Sequence, residues 1–215
     1  MKLKSSDLRL IFTITTSLLL SSFFGHLDVS AQQNPAFPEY YDEATWAPKL
    51  DSLREAIGGK VTYKNGDNFE LATLLALSHY PLLRDRKVQI IVKKMPGAPV
   101  EASFSMWNFV KSRKGKIYKI KIENGSFMER LSLNQQVSAL AHEMAHFIQY
   151  DNLGYFRTLT TLVGWSLSKK ARSKFEKGAD RIAIDHHLGP QLLDFAFYTS
   201  DEEIRLLMKQ KSESN

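Results

Sequence analysis

Three residues stand out for chemistry: His142, Glu143 and His146, in the run Ala141-His142-Glu143-Met144-Ala145-His146. On a helix, four residues rise about 6 Å and turn about 400°, so both imidazoles project from one face. Two ring nitrogens can then meet one ion at about 2.0–2.1 Å each. Glu143 is turned away by about 100°, too far round to share that vertex. It is placed to act as general base toward a water that the ion activates. With 6 His and 12 Glu among 215 residues, chance yields the H-E-x-x-H pattern about 0.01 times per chain. The competing reading, two core histidines, is costly: a buried His pair beside a buried Glu loses several kcal/mol unless every group is satisfied.

A catalytic zinc needs a third protein ligand and an open fourth position. The chain has no cysteine. This excludes disulfide frameworks, thiolate nucleophiles and iron–sulfur clusters, and leaves metal ligation to His, Asp or Glu. Phe175-Glu176-Lys177-Gly178-Ala179-Asp180 presents Glu176 and Asp180 four apart on one helical face. Glu176 is the candidate third ligand. Asp180 is the candidate acceptor for the spare N–H of a ligand histidine, a bond that sets the tautomer and raises basicity. Alone, the two acids read as a solvated pair among Lys174, Lys177 and Arg181; behind an H-E-x-x-H they read as ligand and brace. A ferritin-like di-iron site would need a second E-x-x-H unit, and a non-haem iron triad would leave Glu143 unused.

The elements that must hold these residues follow from periodicity. From Ser132, Leu133, Val137, Leu140, Ala141, Met144 and Ile148 mark a helix, with its stop at Asn152 and Gly154. Phe156, Leu159, Leu162, Val163 and Leu167 predict a second amphipathic helix, read as core cover in preference to a lid over the metal. Residues 175–188 predict a third, ended by Gly189-Pro190, and 192–208 a terminal one. Upstream, helices are expected over 46–57 and 69–80, the latter capped by Asp67 or Asn68, with His79 a helix-end residue and not a ligand. Residues 88–92 are β-branched and read as a strand, and a short strand is expected within 100–110. Residues 116–123 alternate, with Tyr118, Ile120 and Ile122 on one face and Lys119 and Lys121 on the other. The lysines suit a sheet edge.

The first 31 residues have the layout of a signal peptide: Lys2, Lys4 and Arg9, an apolar run over 10–24, then Val29-Ser30-Ala31. Cleavage after Ala31 is expected, giving an exported chain, periplasmic or secreted; uncleaved, residues 10–24 would anchor it. Residues 32–45 read as a flexible leader and 46–215 as one domain. The net charge is +6, and removing three basic and two acidic residues with the signal leaves +5. The positive charges are scattered and carry no recognition motif, which argues against nucleic acid. Peripheral association with an acidic envelope surface is compatible with them.

Taken together, His142-Glu143-x-x-His146 followed by Glu176-x-x-x-Asp180 resembles the gluzincin metallopeptidases. Glu176-Lys-Gly-Ala-Asp180-Arg-Ile-Ala is similar to the E-x-x-A-D-x-x-A segment of their prenyl-protease-like and HtpX-like branch. The resemblance spans about residues 116–188. It implies zinc on His142, His146 and Glu176, water activation by Glu143, and Asp180 orienting a histidine. It also implies that residues 116–123 form the edge strand that pairs with substrate. The chain departs from that branch in lacking its multiple membrane helices. Tyr150, Tyr155, His186 and His187 are the available transition-state donors, none of them assigned. The expected fold is α+β and zincin-like: a small, mainly antiparallel sheet packed on the His142/His146 helix, with a helical C-terminal half. The expected function is an exported zinc metallopeptidase acting on peptide or protein substrates. Its rivals are an envelope assembly protein whose structural zinc is closed by His186 or His187, and a zinc hydrolase of non-peptide amides or esters.

Overall fold

A computed structural model of the chain describes residues 37–214 except 96, 104, 110 and 112–114. In chain order the elements are α1 (Glu43–Trp46), α2 (Leu50–Ile57), β1 (Val61–Lys64), α3 (Glu70–Ser78), α4 (Pro81–Arg84), β2 (Lys87–Lys93), β3 (Val100–Ser103), β4 (Ile117–Glu123), α5 (Leu133–Leu167), α6 (Lys169–Asp185), α7 (Gly189–Asp194) and α8 (Asp201–Ser214). The architecture is α+β, with one mixed four-stranded sheet in the order β1-β2-β4-β3.

Two of the three strand pairings are parallel, which corrects the expectation of a mainly antiparallel sheet. β1 runs parallel to β2 (Tyr63 opposite Ile90), and β2 parallel to β4 (Ile90 opposite Ile120). Only β3 and β4 are antiparallel, with Ala102 opposite Ile120. The reason lies in the connections: α3 and α4 fill the crossover between β1 and β2, and parallel neighbours require such a crossover. The second correction follows from the same order. Strand β4 is interior and β3 is the edge. Alternation along β4 is as read, with Tyr118, Ile120 and Ile122 fully buried. Alternation, however, reports which face is buried and not which strand is the neighbour. Lys121 stays paired inside the sheet, its ammonium 2.7 Å from Glu101 of β3.

One face of the sheet packs on α3 and α5. Val88, Ile90, Tyr118, Ile120 and Ile122 share a core with Ala72 and Leu75 of α3 and with Val137, Leu140 and Met144 of α5. Each large apolar side chain buried this way contributes about 1.5–3 kcal/mol. Helix α3 is buried nearly all round, from Ala72 to Leu77. A 3₁₀ turn over Asp67–Phe69 leads into it, so neither Asp67 nor Asn68 caps it by a side-chain hydrogen bond.

Helix α5 opens with a capping box, Ser132 and Gln135 each bonding the other's backbone N–H. It breaks at Gly154, whose φ of 69° and ψ of 179° suit glycine alone. Beyond the break, Thr158 is buried and Leu162 and Trp165 pack against the core, but Phe156, Leu159, Val163 and Leu167 are exposed, so the arm covers the core with only part of the face expected. The predicted terminal helix is two helices, α7 and α8, separated by residues 195–200.

Residues 38–45, expected to be a flexible leader, dock on the domain. Tyr41 is 1% exposed. Its N–H donates to Asn134 Oδ1 at 3.0 Å, and its hydroxyl lies 2.7 Å from His79 Nε2. Gln191 Nε2 donates to the Pro38 carbonyl. The signal-peptide reading and residues 32–36 lie outside the described residues. Among the described residues, no helix is long and apolar enough to cross a membrane.

Candidate metal centre

The capped first arm of α5 carries His142 and His146 one turn apart, their rings 4.8 Å between centroids and nearly perpendicular. Helix α6 crosses them and delivers Glu176. Its Oε2 lies 3.3 Å from His142 Nε2 and 3.1 Å from His146 Nε2. The three side chains are buried, and their ligand atoms lie within 4.8 Å of one another, close enough to bind one metal ion.

The chemistry of the donors supports that reading. His142 Nδ1 is 2.7 Å from Asp180 Oδ1, and His146 Nδ1 is 2.7 Å from Gln149 Oε1. Both partners are acceptors, since the Gln149 amide nitrogen donates to the Phe175 carbonyl at 2.9 Å. Each Nδ1 therefore carries a proton, assigned from these partners, and each Nε2 faces Glu176 across the point where a cation would sit. A cation at that point, proton or metal ion, is what lets the rings and the carboxylate approach this closely. Burial alone pushes the His142 imidazole down, yet its bonds to Asp180 and then Glu176 outweigh burial and raise it to about 10. Burial would raise the Glu176 carboxyl; His142 and His146 instead hold it below the usual carboxylate range. A field that favours a proton at this point also favours a divalent ion.

Further side chains brace the ligands. Trp165 Nε1 donates to Glu176 Oε1 at 2.8 Å, and Thr199 donates to the free oxygen of Asp180. Gly178 lets α6 approach, because a Cβ there would stand 2.6 Å from the Gln149 amide nitrogen. Glu143 is buried but outside the ligand trio. One of its oxygens accepts the backbone N–H of Ala102 on the edge strand.

His142, Glu143, His146 and Glu176 face a cleft of about 340 Å³, walled by Val100–Ala102 of β3 on one side and by Leu162 and Trp165 on another. Of the donors named from sequence, Tyr150 lines the cleft, whereas Tyr155, His186 and His187 do not. Tyr198 lines it as well, its ring stacked 5.8 Å from that of His142. Burial pushes both phenols up, so both remain O–H donors at neutral pH. His186 is committed elsewhere, its Nδ1 2.8 Å from the His79 carbonyl. His79 caps the C-terminus of α3 as expected.

Sequence reasoning thus named His142, Glu143, His146, Glu176 and Asp180, and the fold gathers all five. It missed Gln149, Ala102, Tyr198 and the bond that Trp165 gives Glu176. Gln149 was within reach, being three residues beyond His146 on the same helical face; the others carry no local signal. No protein-family model, curated protein or solved structure shows significant similarity to the chain.

Proposed function

We propose that the chain is a zinc-dependent hydrolase, and that its substrates are peptides or proteins. The observation carrying this is the convergence of two imidazole nitrogens and one carboxylate on a single buried point that borders an open cleft, with Glu143 beside it and outside the trio. Two His and one carboxylate match a catalytic zinc set that keeps a position for solvent. Zinc held by His142, His146 and Glu176 would supply Lewis acidity toward a substrate carbonyl and an activated water.

The chain's own residues supply the rest. Glu143 accepts the proton of the attacking water and returns it to the leaving amine. The Ala102 N–H fixes the Glu143 carboxylate toward the cleft. Tyr150 and Tyr198 offer hydrogen bonds to the developing oxyanion. Asp180 and Gln149 hold the imidazoles in the ligating tautomer, and Trp165 holds Glu176 to one oxygen.

A peptide is favoured over a smaller amide or ester because the cleft is walled by β3, an edge strand, beside which an extended backbone can lie. On this reading the substrate would lie beside Val100–Ser103 and not beside residues 116–123, which are interior to the sheet. A structural zinc is disfavoured because neither His186 nor His187 reaches the trio. The resemblance to gluzincins supports the zincin-like reading of the fold. The test is Glu143→Gln. Zinc content should stay stoichiometric while hydrolysis of a peptide library falls by about 10³-fold or more; undiminished hydrolysis would refute the assignment.

A further inference from the structure

Past the Gly154 break, α5 presents an apolar stripe to solvent. Phe156, Leu159, Val163 and Leu167 follow at i, i+3, i+7 and i+11, one face of a helix. Phe156 is 79% and Leu167 81% exposed, with Leu159 at 43% and Val163 at 50%. Four large apolar side chains in one exposed row need an apolar occupant. Charge indicates which one. Residues 152–175 contain Arg157, Lys169, Lys170, Arg172 and Lys174 and no acid. All five cations are exposed. Arg172 lies over the ring of Trp165, a residue of the same arm, at 4.3 Å.

We propose that this arm is a docking surface for an anionic lipid bilayer, with the stripe entering the headgroup boundary and the basic residues meeting lipid phosphates. An apolar face bordered by lysine and arginine is the pattern of helices that lie in the interface plane. A second copy of the chain fits less well, since a two-fold contact would set five cations against five. The other side of the same helix walls the cleft through Leu162 and Trp165. Docking therefore sets the metal centre about one helix diameter, roughly 10 Å, from the surface. The inference stands independently of the hydrolase reading.

Because the chain lacks cysteine, one introduced thiol can report on this arm alone, whatever residues 10–24 do. The full chain carrying Val163→Cys is labelled with an environment-sensitive fluorophore, beside a control labelled at Asp51→Cys on α2. Vesicles of mixed phosphatidylglycerol and phosphatidylcholine should move the probe at 163 into apolar surroundings and leave the probe at 51 in water. Pure phosphatidylcholine should do neither. Adding Lys169→Gln, Lys170→Gln and Lys174→Gln should weaken the response at 163 by about 100-fold at low salt. The proposal is overturned by no shift at 163 with anionic vesicles, or by an equal shift with both vesicle types. It is overturned too by a probe already in apolar surroundings without lipid, or by a shift driven by protein concentration alone.

Discussion

Two histidine pairs hold this molecule together, in opposite electrostatic surroundings. His142 and His146 face Asp180, Glu176 and Glu143. His79 and His186 face carbonyls and a hydroxyl: each Nδ1 lies 2.8 Å from the other's backbone oxygen, and Tyr41 bonds His79 at 2.7 Å. In the first pair the carboxylates overcome burial and raise His142 to about 10. In the second, burial dominates and pushes His79 down to about 4 and His186 downward as well. Burial is shared, so the neighbours decide the outcome. Carboxylates make a place for a cation. Carbonyls at two helix ends make a neutral clamp, which satisfies backbone groups that α3 and α6 leave open and ties the chain around Tyr41 to the domain.

The contrast can be broken most severely at the ligands. His146→Ala should abolish stoichiometric metal content, measured by elemental analysis after dialysis, whereas His186→Gln should keep it. Equal metal loss in both would erase the distinction. Asp180→Asn should weaken metal affinity about 10–100-fold in chelator competition, because its amide no longer stabilises the His142 N–H with a full charge. The clamp predicts a stability effect of the opposite kind. His79 has a folded pKa near 4 against an ordinary 6.5, so the unfolded chain takes up the proton first as pH falls. The stabilisation is complete above about 6.5 and is lost as pH falls through about 4, at most about 3 kcal/mol. Denaturant titrations across that range should show a smaller pH slope for His79→Gln; an unchanged slope would remove His79 from the acid response. The smallest effect is expected at Gly178→Ala. Its Cβ would displace the Gln149 amide from 2.6 Å and weaken metal binding several-fold through His146, with Gln149→Ala giving a similar loss.

Much of the centre was legible because it is local. His142, His146, Glu176 and Asp180 are two i, i+4 pairs, and the α-helix turns that spacing into shared faces wherever the helices go. The break at Gly154 and the inward residues of β4 were legible for the same reason. Strand order was not. The pattern in residues 116–123 names a buried face, yet whether β4 is edge or interior depends on β3 returning beside it and on α3 and α4 carrying β1 over to β2. The row 156–167 shows the same limit: a period of 3.6 identifies an apolar stripe without saying whether the core has room for it.

The amino-acid sequence by itself determined the donor types, their helical spacing and the absence of thiols, since these depend on residues at most four apart. Only the tertiary structure decided that the two helices cross where His142, His146 and Glu176 meet, that Trp165 braces Glu176 and the Ala102 N–H braces Glu143, and that Tyr198 enters the cleft. Those contacts join residues distant along the chain, and they form only when the burial of α3, α5 and the sheet offsets the entropy of closing the intervening loops.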